Sequence, residues 1–228
     1  MAGNNKEAFS EDEMSGGIIS RALGEYAGAH TSPEPEVLKQ LSRETHLKTT
    51  APQMLSGHLQ GAFLRMISRM LKPELVLEIG TFTGYSAICL AEGIRENGML
   101  HTVECNPEME DIARRYFSLA GLSEKIILHI GDAFEIVEKI EGPFDLVFID
   151  ANKDDYIRYF DLVFGKVAGG GFIIADNVLW YGRVTDKNAS VDRETRSIVA
   201  FNEYIQHHNG VENLLLPVRD GLMIMRKL

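Results

Sequence analysis

The strongest constraint on the fold is an alternation of short apolar runs with amphipathic segments of helical periodicity after residue 73. The five runs are Leu75–Ile79, Met99–Val103, Ile126–Ile130, Phe144–Ile149 and Gly171–Ala175. Strands that are buried on both faces of a parallel sheet read as continuous apolar runs, and the helices between them form the crossover connections. Because such crossovers are right-handed, the pattern predicts a doubly wound α/β domain with helices on both faces of the sheet.

The end of the chain departs from this alternation. A helix predicted over about 191–208 is followed by two apolar segments, 211–218 and 222–225, that are joined by Arg219-Asp220-Gly221. An Asp-Gly pair between apolar segments is a hairpin signal, since glycine tolerates the positive φ of such turns. The sheet should therefore have seven strands and end in an antiparallel hairpin.

The N-terminal part reads differently from the α/β core. Residues 16–72 carry three apolar series at helical spacing, which are separated by Ser32-Pro33-Glu34-Pro35 and by Thr49-Thr50-Ala51-Pro52. Residues 1–15 contain too few apolar groups for a signal peptide, and we expect a disordered tail there. The predicted organisation is one domain over 16–228, with N-terminal helices over 16–72 and the α/β core over 73–228.

Charge and cysteine content limit the classes of partner. The chain has 23 Lys and Arg against 33 Asp and Glu, for a formal net charge of −10, and no basic run interrupts the excess. Nucleic acid and anionic membranes both need clustered basic residues, so neither is expected as a partner. No segment reaches about 18 uninterrupted apolar residues. Both cysteines, Cys89 and Cys105, lie in stretches that we expect to be buried, which favours a reduced, cytoplasmic protein.

The first apolar run leads into a glycine-bearing turn, Glu78-Ile-Gly-Thr-Phe-Thr-Gly-Tyr-Ser86. Ligands of open α/β sheets bind outside the carboxyl ends of the strands, and Gly80 and Gly84 would let the backbone approach such a ligand. An ordinary tight turn explains the glycines equally well. The dinucleotide fingerprint would need glycines where Phe82 and Tyr85 stand, so a ligand with a ribose but without a diphosphate fits better.

Acidic residues follow the second and third runs. Glu104 lies 24 residues after Gly80, close to the spacing of about 20 at which an acid accepts hydrogen bonds from ribose hydroxyls. Asp132 begins the next helix, where it is either a plain N-cap or a neighbour of an adenine edge, and it can be both. Together with the glycine turn, these residues favour a nucleoside-bearing cofactor.

The fourth and fifth runs end in Asp150-Ala-Asn-Lys153 and Asp176-Asn177. If the two strands are neighbours, two carboxylates and one amide oxygen face one cleft. Buried carboxylates side by side repel each other unless a cation or a proton lies between them, and an all-oxygen set selects a hard cation such as Mg²⁺, Mn²⁺ or Ca²⁺. The alternative is that these residues are helix caps and an ion pair with Lys153.

From about residue 50 onward the chain resembles the class I methyltransferases that use S-adenosylmethionine, and more narrowly the cation-dependent O-methyltransferases related to catechol and caffeoyl-CoA O-methyltransferase. The motifs that carry the resemblance are the turn 78–86, Glu104, Asp150–Lys153 and Asp176-Asn177-Val-Leu-Trp-Tyr-Gly182. The resemblance implies a Rossmann-like methyltransferase fold and a metal site of Asp150, Asp176 and Asn177, with Mg²⁺ as the first choice. It further implies that Lys153 is the general base and that S-adenosylmethionine is lined by Met54, Ser56, Glu78, Gly80, Thr81, Phe82, Ser86, Glu104, Asp132, Ala133 and Asp150.

The expected reaction is methyl transfer to a hydroxyl of a small catechol-like aromatic. Trp180 and Tyr181 are placed to flank a planar acceptor, although Trp180 can equally be a packing residue under a loop. A nicotinamide-dependent oxidoreductase and a nucleoside-binding protein without catalysis are the alternatives. The family likeness also implies a homodimer to which the N-terminal helices contribute.

Overall fold

A computed structural model describes residues 19–186 and 192–228. Its centre is a seven-stranded sheet in the order β3-β2-β1-β4-β5-β7-β6, in which β1 to β5 are parallel and β7 is antiparallel to both of its neighbours. The predicted mostly parallel sheet with a C-terminal hairpin is confirmed. The strands are β1 Leu75–Ile79, β2 Met99–Glu104, β3 Ile126–Ile130, β4 Phe144–Ile149, β5 Val167–Asp176, β6 Val211–Leu216 and β7 Leu222–Lys227.

Eight α-helices lie in the described ranges, three before the sheet and five within the α/β part. They are α1 Arg21–Ala29, α2 Glu36–Lys48, α3 Gly57–Leu71, α4 Tyr85–Ala91, α5 Glu110–Leu119, α6 Ala133–Lys139, α7 Tyr156–Phe164 and α8 Arg193–Gln206. The predicted tail over 1–15 and the predicted start of the last helix at residue 191 lie outside the described residues.

Two predicted boundaries are wrong. The apolar pattern after the glycine turn predicts a helix from about Tyr85 to Glu96, but α4 ends at Ala91. Gly93 then packs so closely on α3 that a Cβ there would lie 2.2 Å from the Ser68 carbonyl carbon. Strand β5 begins at Val167, four residues before the predicted start at Gly171. It first pairs with Phe144, and the register then shifts across the glycines.

The apolar core lies on both faces of the sheet, as the continuous apolar runs require. One face packs against α3, α4 and α5, and the other packs against α6, α7 and α8. None of the helices in the described ranges is long and apolar enough to cross a membrane. Cys89 is buried in α4, whereas Cys105 follows β2 and is exposed, so the expectation that both cysteines are buried is wrong for Cys105.

Strand register decides which side chains meet at the carboxyl edge of the sheet. In the β4–β5 ladder Ile149 is opposite Ala175, so the next residues, Asp150 and Asp176, lie side by side at the carboxyl ends of the two strands. In the β1–β2 ladder Glu78 is opposite Thr102. The fold therefore places two acidic groups at separate points along one edge.

Candidate active site

The glycine turn between β1 and α4 is required by the packing of the protein itself. Gly80 has φ +102°, and a Cβ there would lie 1.9 Å from the backbone oxygen of Asp150. Gly84 has φ +95°, and a Cβ there would lie 2.6 Å from the ring of Phe117. The tight-turn explanation accounts for both glycines, and the approach of a ligand is not needed to explain them.

Glu78 is a fully buried carboxylate at the base of this turn. The Thr102 hydroxyl donates to its Oε2 at 2.5 Å, and the Thr81 hydroxyl lies 2.5 Å from that of Thr102. The other oxygen, Oε1, has no hydrogen-bond partner among the described residues. Burial raises the pKa of Glu78 to about 8, although the Ser86 and Thr102 hydroxyls lower it. Glu78 is thus an acid that needs a further donor or a positive charge to be stable when ionised.

Glu104 and Asp132 follow the neighbouring strands. The Glu104 carboxylate accepts from the backbone N–H of Phe82 at 2.7 Å and from that of Asn106 at 2.8 Å, so it is fixed across the mouth of the turn. Asp132 is the N-cap of α6, where it accepts from two backbone N–H groups of the first turn at 2.8 and 3.2 Å. The predicted capping role of Asp132 is confirmed, and Ala133 is the first residue of that helix.

Lys153 lies at the end of β4, in a single 3₁₀ turn before α7. Its buried Nζ donates to Asp150 Oδ1 at 2.8 Å and to the Tyr156 hydroxyl at 2.6 Å. The Tyr156 hydroxyl in turn donates to the backbone oxygen of Asp176 at 2.9 Å. Burial lowers the pKa of Lys153, but the nearby carboxylates of Asp150 and Asp176 outweigh it and raise that pKa above the ordinary value. Lys153 is therefore an ammonium group in this arrangement.

Asp176 is fully buried at the end of β5. Its Oδ2 accepts from Gln60 Nε2 at 2.6 Å, and its Oδ1 accepts from the backbone N–H of Asn177 at 2.7 Å. Burial and the neighbouring charge of Asp150 raise the pKa of Asp176. The described residues contain no group of three or more His, Cys, Asp or Glu placed to hold a metal ion, and the predicted set has two acids and one amide.

The segment after Asn177 is held in an unusual backbone conformation beside Lys153. Asn177, Trp180 and Tyr181 all have positive φ, at +58°, +45° and +55°. The buried carboxylate of Asp220 accepts from the backbone N–H of Tyr181 at 2.5 Å and holds the segment against the hairpin turn. Lys153 Nζ lies 5.9 Å from the centre of the Trp180 ring. Trp180 packs against the apolar core, as the packing alternative predicts, while Tyr181 is 45% exposed.

Met54 and Ser56 lie in the short connection between α2 and α3. Met54 ends a 3₁₀ turn and is 53% exposed, whereas Ser56 is buried just before α3. Arg219, in the β6–β7 turn, donates to the backbone oxygens of Gln53 at 3.2 Å and Leu55 at 2.8 Å. The β6–β7 turn thus holds the connection between α2 and α3 in place.

Sequence reasoning missed several residues that contact the predicted site. Thr102 bonds Glu78, Gln60 bonds Asp176 and Tyr156 bonds Lys153, while Arg219 is linked to the site through Gln60. For Gln60 a signal was available, because it lies four residues before Leu64 on the buried face of α3, where a polar side chain needs a partner. Nothing in the sequence pattern indicated that Arg219 would reach α3.

The cavity of about 480 Å³ next to β2 and β3 is not this site. It is lined by two facing histidines, His101 and His129, whose Nδ1 and Nε2 atoms lie 3.0 Å apart, and by the end of α6. None of the predicted site residues lines it. The candidate active site is therefore the carboxyl edge of the sheet.

Comparison with known proteins gives one consistent family. A family model described as O-methyltransferase matches residues 28–228. The probable caffeoyl-CoA O-methyltransferase 2 of Dictyostelium discoideum is 31% identical over 208 residues, which cover 89% of this chain and 90% of that protein. The catechol O-methyltransferase of Niastella koreensis is 34% identical over 163 residues, which cover 70% of this chain and 73% of that protein.

Solved structures agree with the sequence comparisons. The O-methyltransferase from Bacillus cereus, crystallised in complex with SAH, superposes with a TM-score of 0.83 at 29% identity, over 91% of this chain and 97% of that one. Because the superposition covers 91% of the chain, the similarity is not limited to the glycine turn.

Proposed function

This chain belongs to the O-methyltransferase family, whose members take their methyl group from S-adenosylmethionine, and we propose that it methylates a hydroxyl of a small catechol-like aromatic with the help of a divalent cation. Family membership sets aside a nicotinamide-dependent oxidoreductase. The acceptor class follows the names of the relatives, which act on caffeoyl-CoA and catechol. The cation and the roles of individual residues rest on the site itself.

The cofactor site is proposed at the β1 and β2 ends of the sheet edge. Glu78 has a buried oxygen without a partner among the described residues, and the ammonium group of the cofactor's methionine part would supply both the donor and the charge. Glu104 faces the place expected for the ribose. The further residues proposed to line the cofactor are Met54, Ser56, Gly80, Thr81, Phe82, Ser86, Asp132, Ala133 and Asp150.

The cation site is proposed at the β4 and β5 ends. Asp150, Asp176 and the Asn177 side chain offer only oxygen ligands, and the two acids are close enough for the charge of Asp150 to raise the pKa of Asp176. A hard cation would relieve that repulsion and keep open positions for two hydroxyls of a catechol. Mg²⁺ is the first choice on this chemistry, with Mn²⁺ and Ca²⁺ as alternatives.

The chemical step needs an oxygen anion in line with the methyl group. A free phenol has a pKa of about 10 and is mostly protonated at neutral pH. A bound divalent cation would stabilise the phenolate by direct coordination. The Lys153 ammonium, which donates to Asp150 and Tyr156, would add a second positive charge beside the oxyanion. A bound cation would lower the pKa of Lys153 by repulsion, and the neutral amine would then be the general base that accepts the phenol proton. Trp180 and Tyr181 would flank the planar acceptor.

The observation that carries the proposal is that Asp150 and Asp176 lie side by side at the ends of β4 and β5, close enough for the charge of Asp150 to raise the pKa of Asp176. A screen of catechols, hydroxycinnamates and flavonoids for methyl transfer, run with Mg²⁺, Mn²⁺, Ca²⁺ and EDTA in parallel, tests it. We expect turnover of a vicinal diol with a cation and loss of turnover in EDTA. Full activity in EDTA would reject the cation. Tight binding of S-adenosylmethionine without turnover of any phenol would favour a non-catalytic binding protein.

We also propose a homodimer through the N-terminal helices. Large apolar side chains are exposed on α1 and α3, namely Leu23, Tyr26, Met66 and Met70, each more than 60% exposed. An exposed apolar face of this kind is typical of an interaction surface. Light scattering that finds only monomers would reject the dimer.

A further inference from the structure

A hydrogen-bonded relay connects the β6–β7 turn to the proposed cation site. The Arg219 guanidinium donates to Gln60 Oε1 at 2.8 Å, and Gln60 Nε2 donates to Asp176 Oδ2 at 2.6 Å. Gln60 is 1% exposed and Asp176 is fully buried, so water does not replace either bond. The relay joins three parts of the chain: the hairpin, helix α3 and the end of strand β5.

The direction of this relay is fixed by chemistry. A guanidinium has only donors, so Gln60 must present its carbonyl oxygen to Arg219 and its NH₂ group to Asp176. If the amide were turned over, its oxygen would face a carboxylate oxygen and its NH₂ group would face the guanidinium. Arg219 therefore selects the one amide orientation in which Gln60 donates to Asp176.

The Asp176 carboxylate is oriented by two donors on its two oxygens. Gln60 holds Oδ2, and the backbone N–H of Asn177 holds Oδ1, so the plane of the carboxylate cannot rotate freely. A metal ligand that is oriented in advance binds more tightly than one that must be ordered on binding. The same guanidinium also holds the backbone oxygens of Gln53 and Leu55, so that its own position is fixed.

The backbone of Arg219 supports a specific role for its side chain. Its φ is +53°, in the left-handed region where glycine is favoured and a residue with a Cβ is strained. Strain of this kind persists where the surrounding structure uses the residue. A glycine would satisfy the turn, but it would not supply the guanidinium.

We propose that Arg219 and Gln60 are positioning residues for Asp176 as a ligand of the divalent cation. This inference rests on the proposed function, because it requires that a cation binds at Asp150, Asp176 and Asn177. Arg219 acts through Gln60 and touches neither substrate nor cation. Its loss should weaken cation binding without unfolding the protein.

The main test is the affinity for Mn²⁺ in the presence of SAH, measured by the electron paramagnetic resonance signal of free Mn²⁺. Arg219→Gly should fold but melt below the wild type, since relief of the positive φ only partly offsets the three lost hydrogen bonds, and it should bind Mn²⁺ about 10- to 100-fold more weakly. Arg219→Lys should recover only part of this loss, because an ammonium lacks the fork of the guanidinium.

Lys72→Gly is the matched control. Lys72 is also a basic residue at positive φ, +49°, and it lies after α3 at the opposite edge of the sheet. The change removes the same charge and relieves the same kind of backbone strain. Mn²⁺ affinity equal to that of the wild type is expected, and a loss equal to that of Arg219→Gly would mean that net charge, not the relay, sets the affinity.

Gln60→Met keeps the volume of the side chain and removes the amide, so it tests the relay independently if Arg219→Gly does not fold. It should weaken Mn²⁺ binding at least as much as Arg219→Gly, and the double variant should bind no more weakly than Gln60→Met alone. Wild-type affinity in both single variants would overturn the relay while leaving the cation in place. A wild-type protein that binds no Mn²⁺ would instead overturn the proposed cation site.

Discussion

Two buried carboxylates at the same edge of the sheet, Glu78 after β1 and Asp176 after β5, have different surroundings. Neutral hydroxyls serve Glu78, and one of its oxygens has no partner among the described residues. Both oxygens of Asp176 accept from N–H groups, and a second acid and a lysine lie beside it. Both groups are fully buried carboxylates, so they differ in the further interaction that each one needs.

The difference indicates two kinds of cation. Glu78 lacks a donor that carries its own hydrogen, which is what an organic ammonium brings. Asp176 has its donors already, but Asp150 and Asp176 together carry one more negative charge than Lys153 balances, and a metal ion would supply the missing positive charge without hydrogens. On the proposed function, this edge of the sheet would bind an organic cation at β1 and a metal ion at β5. Variants at each end of this edge test whether the proposed cofactor site and the proposed cation site are independent.

The largest effect is expected for Asp150→Asn. The change keeps the shape of the side chain but removes a charge from the proposed cation site, and several kcal/mol of transition-state stabilisation should be lost with it. We expect methyl transfer to fall by about a thousandfold or more, with cofactor affinity changed much less. Asp161→Asn on α7, which removes the same charge where Asp161 accepts from Tyr204, is the control. Activity close to wild type in Asp150→Asn would contradict the proposed cation site.

Lys153→Met should lower kcat by about a hundredfold, at the low end of the range for a group that handles a proton or a developing charge. The loss should shrink as pH rises, because more of the phenol then reaches the site already ionised. Tyr156→Phe, which removes the hydroxyl that accepts from Lys153, should cost much less. A pH–rate profile of each variant gives the comparison. A pH-independent loss in Lys153→Met would argue for a purely structural lysine.

Glu78→Gln separates stability from cofactor binding. The pKa of Glu78 is about 8 in the folded protein against a model-peptide value of 4.5, so the folded state binds the proton more tightly. Stability of the cofactor-free protein should therefore fall as pH rises from about 4.5 to about 8, and glutamine should remove that dependence. The variant should melt above wild type at pH 8 and bind SAH about tenfold more weakly, since a charge-assisted hydrogen bond is lost. Melting curves from pH 5 to pH 9 and calorimetry with SAH test both halves.

If Glu78→Gln melted below the wild type at pH 8, the ionised Glu78 would not destabilise the cofactor-free protein. Unchanged SAH affinity would remove Glu78 from the cofactor site. Mn²⁺ affinity serves as the control, because a change there would mean that the two ends of the edge are coupled.

The charged residues of the site could be predicted from the sequence because each one ends or follows an apolar run. Asp150 and Asp176 follow from strand order alone, once β4 and β5 are neighbours. Gln60 and Arg219 are 159 residues apart and meet only through tertiary packing, which no local pattern encodes. The early start of β5 was missed for a local reason, since Gly169-Gly170-Gly171 has the composition of a turn although it continues the strand.

The smallest effect is expected for Thr102→Val, which removes the neutral hydroxyl that donates to Glu78. Valine keeps the branched shape and removes the donor to Oε2, a net loss of about 1 kcal/mol, so SAH binding should weaken about fivefold. Thr81→Val should do less, because the Thr81 hydroxyl contacts Thr102 and not the carboxylate. Mn²⁺ affinity should stay at the wild-type value in both variants, since neither hydroxyl bonds Asp150 or Asp176. If Thr102→Val weakened Mn²⁺ and left SAH unaffected, the assignment of the organic cation to Glu78 would be wrong.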